Sequence, residues 1–187
     1  MKTISHWHLV NGNWPKNAPK FPVKNPRPLY AGLGGQVWPF DSGFDFDKAA
    51  KNELQDLHSR MERSRVSVDF GGAHPMAICT DAAIATEYFA AAKKHCGGAC
   101  LLKVALPKTE SPQIAGYDIG DVTGGFSVVE TELITQGLPG PRLNELGLIQ
   151  TLPEAEAYFQ TRKQNKVLEQ FEAGEITIVS ITVVQRG

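Results

Sequence analysis

Ala50, Leu54, Leu57 and Met61 recur at i, i+4, i+7 and i+11, an apolar stripe that predicts a helix over Asp47–Ser64. Asp45 or Asp47 can cap its start. A second helix is predicted over Ala82–Lys94, where Ile84, Ala85, Tyr88, Phe89 and Ala92 face inward behind a Thr80-Asp81 cap and ahead of Gly97-Gly98. A third runs over Pro153–Ala173. Ala155 and Phe159 lie on its apolar face, which Arg162, Lys166 and Glu169 partly interrupt, and Gly174 is its C-cap. Between the helices the pattern shortens to strands. Ala99–Leu106 is nearly all apolar, the mark of a strand buried on both faces. Glu175–Val184 is β-branched almost throughout and reads as a closing strand. Val66–Phe70 and Pro75–Cys79 are shorter strand-like pieces around a Gly71-Gly72 turn.

Two further stretches carry the chemistry. Pro28–Leu33 reads as a short strand ending at glycines, and Gly32, Gly34 and Gly35 permit a tight loop and close approach of backbone to a ligand. No Gly-Lys-Ser/Thr follows, which excludes a P-loop. Pro107–Gly125, punctuated by one further proline and four glycines, is predicted as a long loop of the kind that is often functional. It leads into Phe126–Gly137, FSVVETELITQG, predicted as a strand from its Val, Leu, Ile and Thr content. On a strand, Glu130 and Glu132 would point to one face with Cα atoms roughly 6.5–7 Å apart. Like charges that close cost free energy and call for a functional reason, although two solvated acids on an exposed face are the plain alternative. Three helices among short strands, without βαβ alternation, predict an α+β fold with antiparallel-rich sheets.

With 187 residues, 42% hydrophobic and 21% charged, the chain is expected to form one soluble globular domain, alone or with an arm. No apolar run approaches the roughly 20 residues of a membrane span. The first residues lack the apolar core of a secretory signal, which predicts synthesis in the cytoplasm without a signal peptide. Cys79, Cys96 and Cys100 are odd in number and form no disulfide framework. His95, Cys96 and Cys100 have no second ligand pair at a recognised spacing, so no metal is expected. The net charge of -1 hides an asymmetry: residues 1–30 hold five basic residues and no acid, leaving 14 basic against 20 acidic beyond them. Five of the 12 prolines fall in the same segment, which predicts an arm over 1–27 and a folded domain over 28–187. The arm is a solvated lead-in or, more sharply, a basic lip beside an anionic ligand. Trp38, Phe40, Phe44 and Phe46 either wall a cavity for a flat ring or fold their loop onto the core.

The order of these parts resembles the mono-ADP-ribosyltransferase toxins of the cholera and pertussis toxin type. LYAG stands where the family's first strand ends in Tyr-Arg or Tyr-His. CTD, opening the helix AAIATEYFAA, stands at its Ser-Thr-Ser motif. ETE, after a Gly-rich loop, matches its Glu-x-Glu pair. The likeness spans roughly Pro28 to Gly137. It implies a split β-sandwich with flanking helices, NAD as substrate without a metal, Glu132 and Glu130 as catalytic residues, and Tyr30, Ala31, Gly32, Thr80, Phe40 and Phe44 at the cofactor. In the family's chemistry, cleaving the nicotinamide–ribose bond develops an oxocarbenium-like charge. Glu132 would stabilise it and hold the ribose 2′-hydroxyl, while Glu130 aims the acceptor and takes its proton. Thr80 would orient the catalytic carboxylate.

The same resemblance implies a toxin-type effector, delivered by a secretion system without inserting into a membrane. Its partners would be a target macromolecule in a recipient or host cell and an immunity protein. In the family, Glu-x-Glu usually accompanies arginine as acceptor and Gln-x-Glu other acceptors; a relative acting on nucleic acid is an alternative. Two departures matter. Ala31 stands where the family has its basic residue, and of Ser-Thr-Ser only Thr80 is kept. Ala31 fits an inactivated transferase or a non-catalytic NAD-binding or interaction module on the same fold. An NAD glycohydrolase, and an unrelated α+β binding protein, are the remaining alternatives.

Overall fold

The computed structural model describes residues 5–11, 47–68, 76–106, 113–121, 127–129, 132, 141–144, 146–170 and 176–186. The element order is β1 (His6–Asn11), α1 (Lys48–Ser64), β2 (Val66–Val68), β3 (Met76–Ile78), α2 (Ala82–Ala92), β4 (Ala99–Ala105), β5 (Gly116–Asp121), α3 (Leu152–Gln164), a 3-10 turn (Val167–Gln170) and β6 (Ile176–Arg186). Four strands form one antiparallel sheet in the order β1-β4-β6-β5, and β2 and β3 form a two-stranded antiparallel ladder. The chain is thus α+β, as its patterning predicts.

The helices start where local chemistry says they should. Asp47 accepts a hydrogen bond from the Ala50 amide at 2.8 Å to cap α1. Asp81 accepts from the amides of Ala83 and Ile84 to cap α2. Thr151 and Glu154 form a reciprocal capping box at α3, with Pro153 in the first turn. Ala50, Leu54 and Met61 are buried along α1, and Ala85, Tyr88, Phe89 and Ala92 along α2. The two helices pack together over Ala99, Leu101 and Cys79 on one face of the sheet. An exposed two-point ion pair, Arg60 to Glu87, staples them at 2.8 and 2.9 Å; exposed pairs of this kind contribute at most about 1 kcal/mol.

Alternation along β4 sends Cys100, Leu102 and Val104 to the other face, where they meet Val179 and Ile181 of β6 and Leu148. Strand β4 is therefore covered on both sides. A third cluster joins Tyr117 and Ile119 of β5 to Ile149, Val128, Val129 and Ala155, with Tyr158, Phe159, Ile176 and Ile178 packed against it.

Four expectations are corrected. Residues 6–11 are not arm but strand β1, registered on β4 from His6↔Val104 to Asn11↔Ala99; six residues with one strand edge to share are enough to tie a terminus down. The predicted loop Pro107–Gly125 contains β5, which pairs with β6 from Gly116↔Ile181 to Asp121↔Ile176. Its two glycines and two aspartates carry poor strand propensity, and pairing overrides it. The third helix stops at Gln164 rather than Ala173. Asn165 caps it, and Lys166 takes φ 57°, a left-handed turn that ends helical bonding. The fourth concerns the Glu-x-Glu stretch. Ser127 makes a bridge to Gly120, but Val128, Val129 and Glu132 are helical, not strand. All three are buried, and their spacing of i, i+1 and i+4 is a helix face.

The outer edge of β5 is closed by Ile149, whose backbone exchanges two 2.8 Å hydrogen bonds with Tyr117. Asn144 pins this segment, donating to Ala115 O and accepting from the amides of Leu146 and Leu148. The approach is so close that a Cβ on Gly116 would lie 2.6 Å from Leu148 Cβ and 2.9 Å from Ile149 O. Gly116→Ala is expected to destabilise the chain by about 1–3 kcal/mol through this overpacking. The midpoint of urea unfolding reads it, and an unchanged midpoint would show that the Leu148–Ile149 segment yields freely.

Candidate functional site

Tyr158 and Arg162 sit one turn apart on α3, at i and i+4, on the side that also presents Ala155 to the core. That stripe brings a phenol and a guanidinium to Glu132. The Tyr158 hydroxyl donates to Glu132 Oε2. Arg162 Nε–H donates to the same oxygen at 2.9 Å. Arg162 Nη2 donates in turn to the Tyr158 oxygen at 3.2 Å, and the guanidinium carbon lies 4.6 Å from the centre of the Tyr158 ring. The Glu132 side chain is 3% exposed and that of Arg162 14%. Among the described residues, Glu132 Oε1 is buried without a hydrogen-bond partner. A buried polar atom left this way costs free energy, and it calls for a reason.

A second buried carboxylate sets where Glu132 begins its approach. Asp118 Oδ1 accepts from Ser127 Oγ at 2.8 Å and from the Ile119 amide at 2.7 Å. Ser127 immediately precedes the helical residues Val128 and Val129, so β5 anchors the segment that carries Glu132.

The surroundings act on the titration of the cluster. Burial, and then the hydrogen bond to Glu132, push the Tyr158 phenol well above its ordinary range. Burial opposes the charge on Arg162, but the bond to Tyr158 and the field of Glu132 outweigh it and raise the guanidinium further. A phenol raised in the folded state loses its proton first in the unfolded chain. Tyr158 therefore contributes stability that is complete below the usual phenol value of about 10 and declines as pH rises above it. Unfolding by urea as a function of pH should show this alkaline decline, and Tyr158→Phe should flatten it. A decline of equal slope in the variant would assign it elsewhere.

Of the residues expected at the site, Glu132 is placed as a buried, oriented carboxylate. Thr80 is exposed and follows Cys79, which bridges Trp7 at the outer edge of β1. Among the described residues, the hydrogen-bond partners of the Glu132 carboxylate are Arg162 and Tyr158, and Thr80 is not one of them. Cys79, at the first position of the same motif, is core: it is fully buried, and burial pushes its thiol up. Glu130, Tyr30, Ala31, Gly32, Phe40 and Phe44 lie outside the described residues.

His95 Nε2 lies 2.9 Å from Glu53 Oε2, linking the end of α2 to α1. Among the described residues, no group of three or more His, Cys, Asp or Glu is arranged to hold a metal, and no helix is long and apolar enough to cross a membrane. Neither a protein-family model, nor a curated protein, nor a solved structure matches this chain.

Proposed function

We propose that this chain is a toxin-type mono-ADP-ribosyltransferase on a split β-sandwich fold, transferring ADP-ribose from NAD to a target macromolecule, with a protein arginine as the favoured acceptor. The observation that carries the reading is the state of Glu132. Its carboxylate is buried and fixed through Oε2, while Oε1 has no partner among the described residues. A carboxylate oriented in this way, with one oxygen unspent, is suited to stabilise an adjacent oxocarbenium charge and accept a ribose hydroxyl. Glu130 aims the acceptor, and a guanidinium acceptor pairs naturally with a carboxylate. The motif order LYAG, CTD, ETE supplies the substrate class. The target cell, the delivery route and an immunity partner follow from the same resemblance.

A second reading rests on Ala31, which places a methyl group where the family has Arg or His. On that reading the chain binds NAD or a partner without turnover, and the Glu132–Arg162 pair is a structural tie. Nicotinamide release from NAD separates the two. It is measured for the parent chain, for Ala31→Arg, and for Ala31→Arg combined with Glu132→Gln. Release by Ala31→Arg that vanishes with Glu132→Gln supports the transferase. Release indifferent to Glu132 sinks it, and NAD binding without release by any of the three favours the non-catalytic module.

A further inference from the structure

Among the described residues, both donors that reach Glu132 fall on one oxygen. A carboxylate that serves an ion pair alone is best satisfied by a fork, with one guanidinium N–H on each oxygen. Here Arg162 Nε and the Tyr158 hydroxyl converge on Oε2, and Oε1 is left buried and without a partner among the described residues. The clamp is itself rigid. Arg162 is held by its bond to the Tyr158 oxygen and by stacking on the Tyr158 ring. Tyr158 packs against the cluster that contains Val128 and Val129, so the clamp and the helical face bearing Glu132 share one core. Both donors stand on α3, a regular element fixed at its start by the Thr151–Glu154 capping box. Sites built on helices are held more tightly than sites on loops.

We infer that Arg162 and Tyr158 are positioning residues, which hold Glu132 through Oε2 and so aim Oε1 at the reacting group. The inference rests on the ribosyltransferase reading for the identity of that group, a ribose. Neither residue touches substrate. They act by removing the rotational freedom of the glutamate side chain, so that the oxygen meeting the developing charge is in place before the bond breaks. Among the described residues, the ionisable groups in contact with the Glu132 carboxylate are these two, both from α3.

Tyr158→Phe and Arg162→Lys test it. Each keeps the volume, and the second keeps the charge, so both should fold where a larger truncation would not. Nicotinamide release is followed in the Ala31→Arg background, at a temperature where circular dichroism shows every variant folded. Loss of orientation should lower kcat by about tenfold or more while KM moves by less than about twofold. A merely structural role predicts a lower melting temperature with kcat per folded molecule unchanged, and that result overturns the inference. So does a rise in KM at constant kcat.

A second readout needs no activity. In the full chain, the Arg162 Nε–H signal, assigned by its loss in Arg162→Lys, should be protected from exchange and should shift in both Glu132→Gln and Tyr158→Phe. A signal indifferent to Glu132→Gln overturns the clamp whatever the substrate is. A signal that responds, in a protein from which no variant releases nicotinamide, upholds the clamp and removes the ribosyltransferase reading instead.

Discussion

Glu132→Ala should destabilise the folded chain by about 3–5 kcal/mol, the usual consequence of removing one partner from a buried ion pair. The Arg162 side chain is only 14% exposed, so little solvent reaches it to replace the lost carboxylate. The Tyr158 hydroxyl loses its acceptor in the same step. Glu132→Gln keeps the volume and one carbonyl oxygen for both donors, and should cost markedly less. Denaturant unfolding of the two variants reads the difference. A cost below about 1 kcal/mol for Glu132→Ala would place the pair with solvent-screened surface bridges. The size of the effect also decides how catalysis should be probed. Any activity lost in Glu132→Ala would mix unfolding with chemistry, whereas Glu132→Gln removes the charge on which the proposed reaction rests and keeps an oxygen for both donors.

Ala31→Arg should raise nicotinamide release by roughly two orders of magnitude. A charge-assisted hydrogen bond to a cofactor phosphate or ribose contributes about 1.5–3 kcal/mol, and a bidentate guanidinium more. Restoring about 3 kcal/mol of transition-state binding corresponds to about a hundredfold in rate. Ala31→His is the companion variant, because Tyr-His is the other form of the family's first motif. NAD consumption by the parent and the two variants, side by side, is the measurement. If both substitutions leave the chain inert, the missing-residue account fails, and the non-catalytic module takes the place of the transferase.

The helices were legible because their information is local. Asp47 and Asp81 cap within three residues, and the stripes of α1 and α2 repeat at helical spacing. Strand β4 was legible because it is nearly all apolar, and β6 because it is β-branched almost throughout. What was hidden depends on partners distant in the chain. HWHLVN has no strong strand signature until β4 offers it an edge. GYDIGD looks like loop until β6 lies beside it and Ile149 closes its far side. SVVETE carries high β-propensity, yet Val128, Val129 and Glu132 turn one helical face to the core that α3 shares.

Sequence reading singled out Glu132 and missed the residues that hold it. The signal was present: Arg162 breaks an otherwise inward-facing stripe seven residues after Ala155. A charged residue at a core position of a helix needs a buried counterpart, and Glu132 is that counterpart.

The strand order sets when this molecule can become itself. β6 lies between β4 and β5 in space but follows both in the chain. During synthesis, α1, α2, β1 and β4 can collapse on one another early, because their contacts are complete by Ala105. β5 has no strand neighbour at that point, and α3, which follows it, has no finished sheet on which to settle. Pairings of such long sequence separation form slowly, and here they wait for the chain beyond Ile176. The segment that seats Glu132 is thus assembled last. A chain cut ahead of Ile176 would keep the carboxylate, the phenol and the guanidinium, and lose the surface that brings them together.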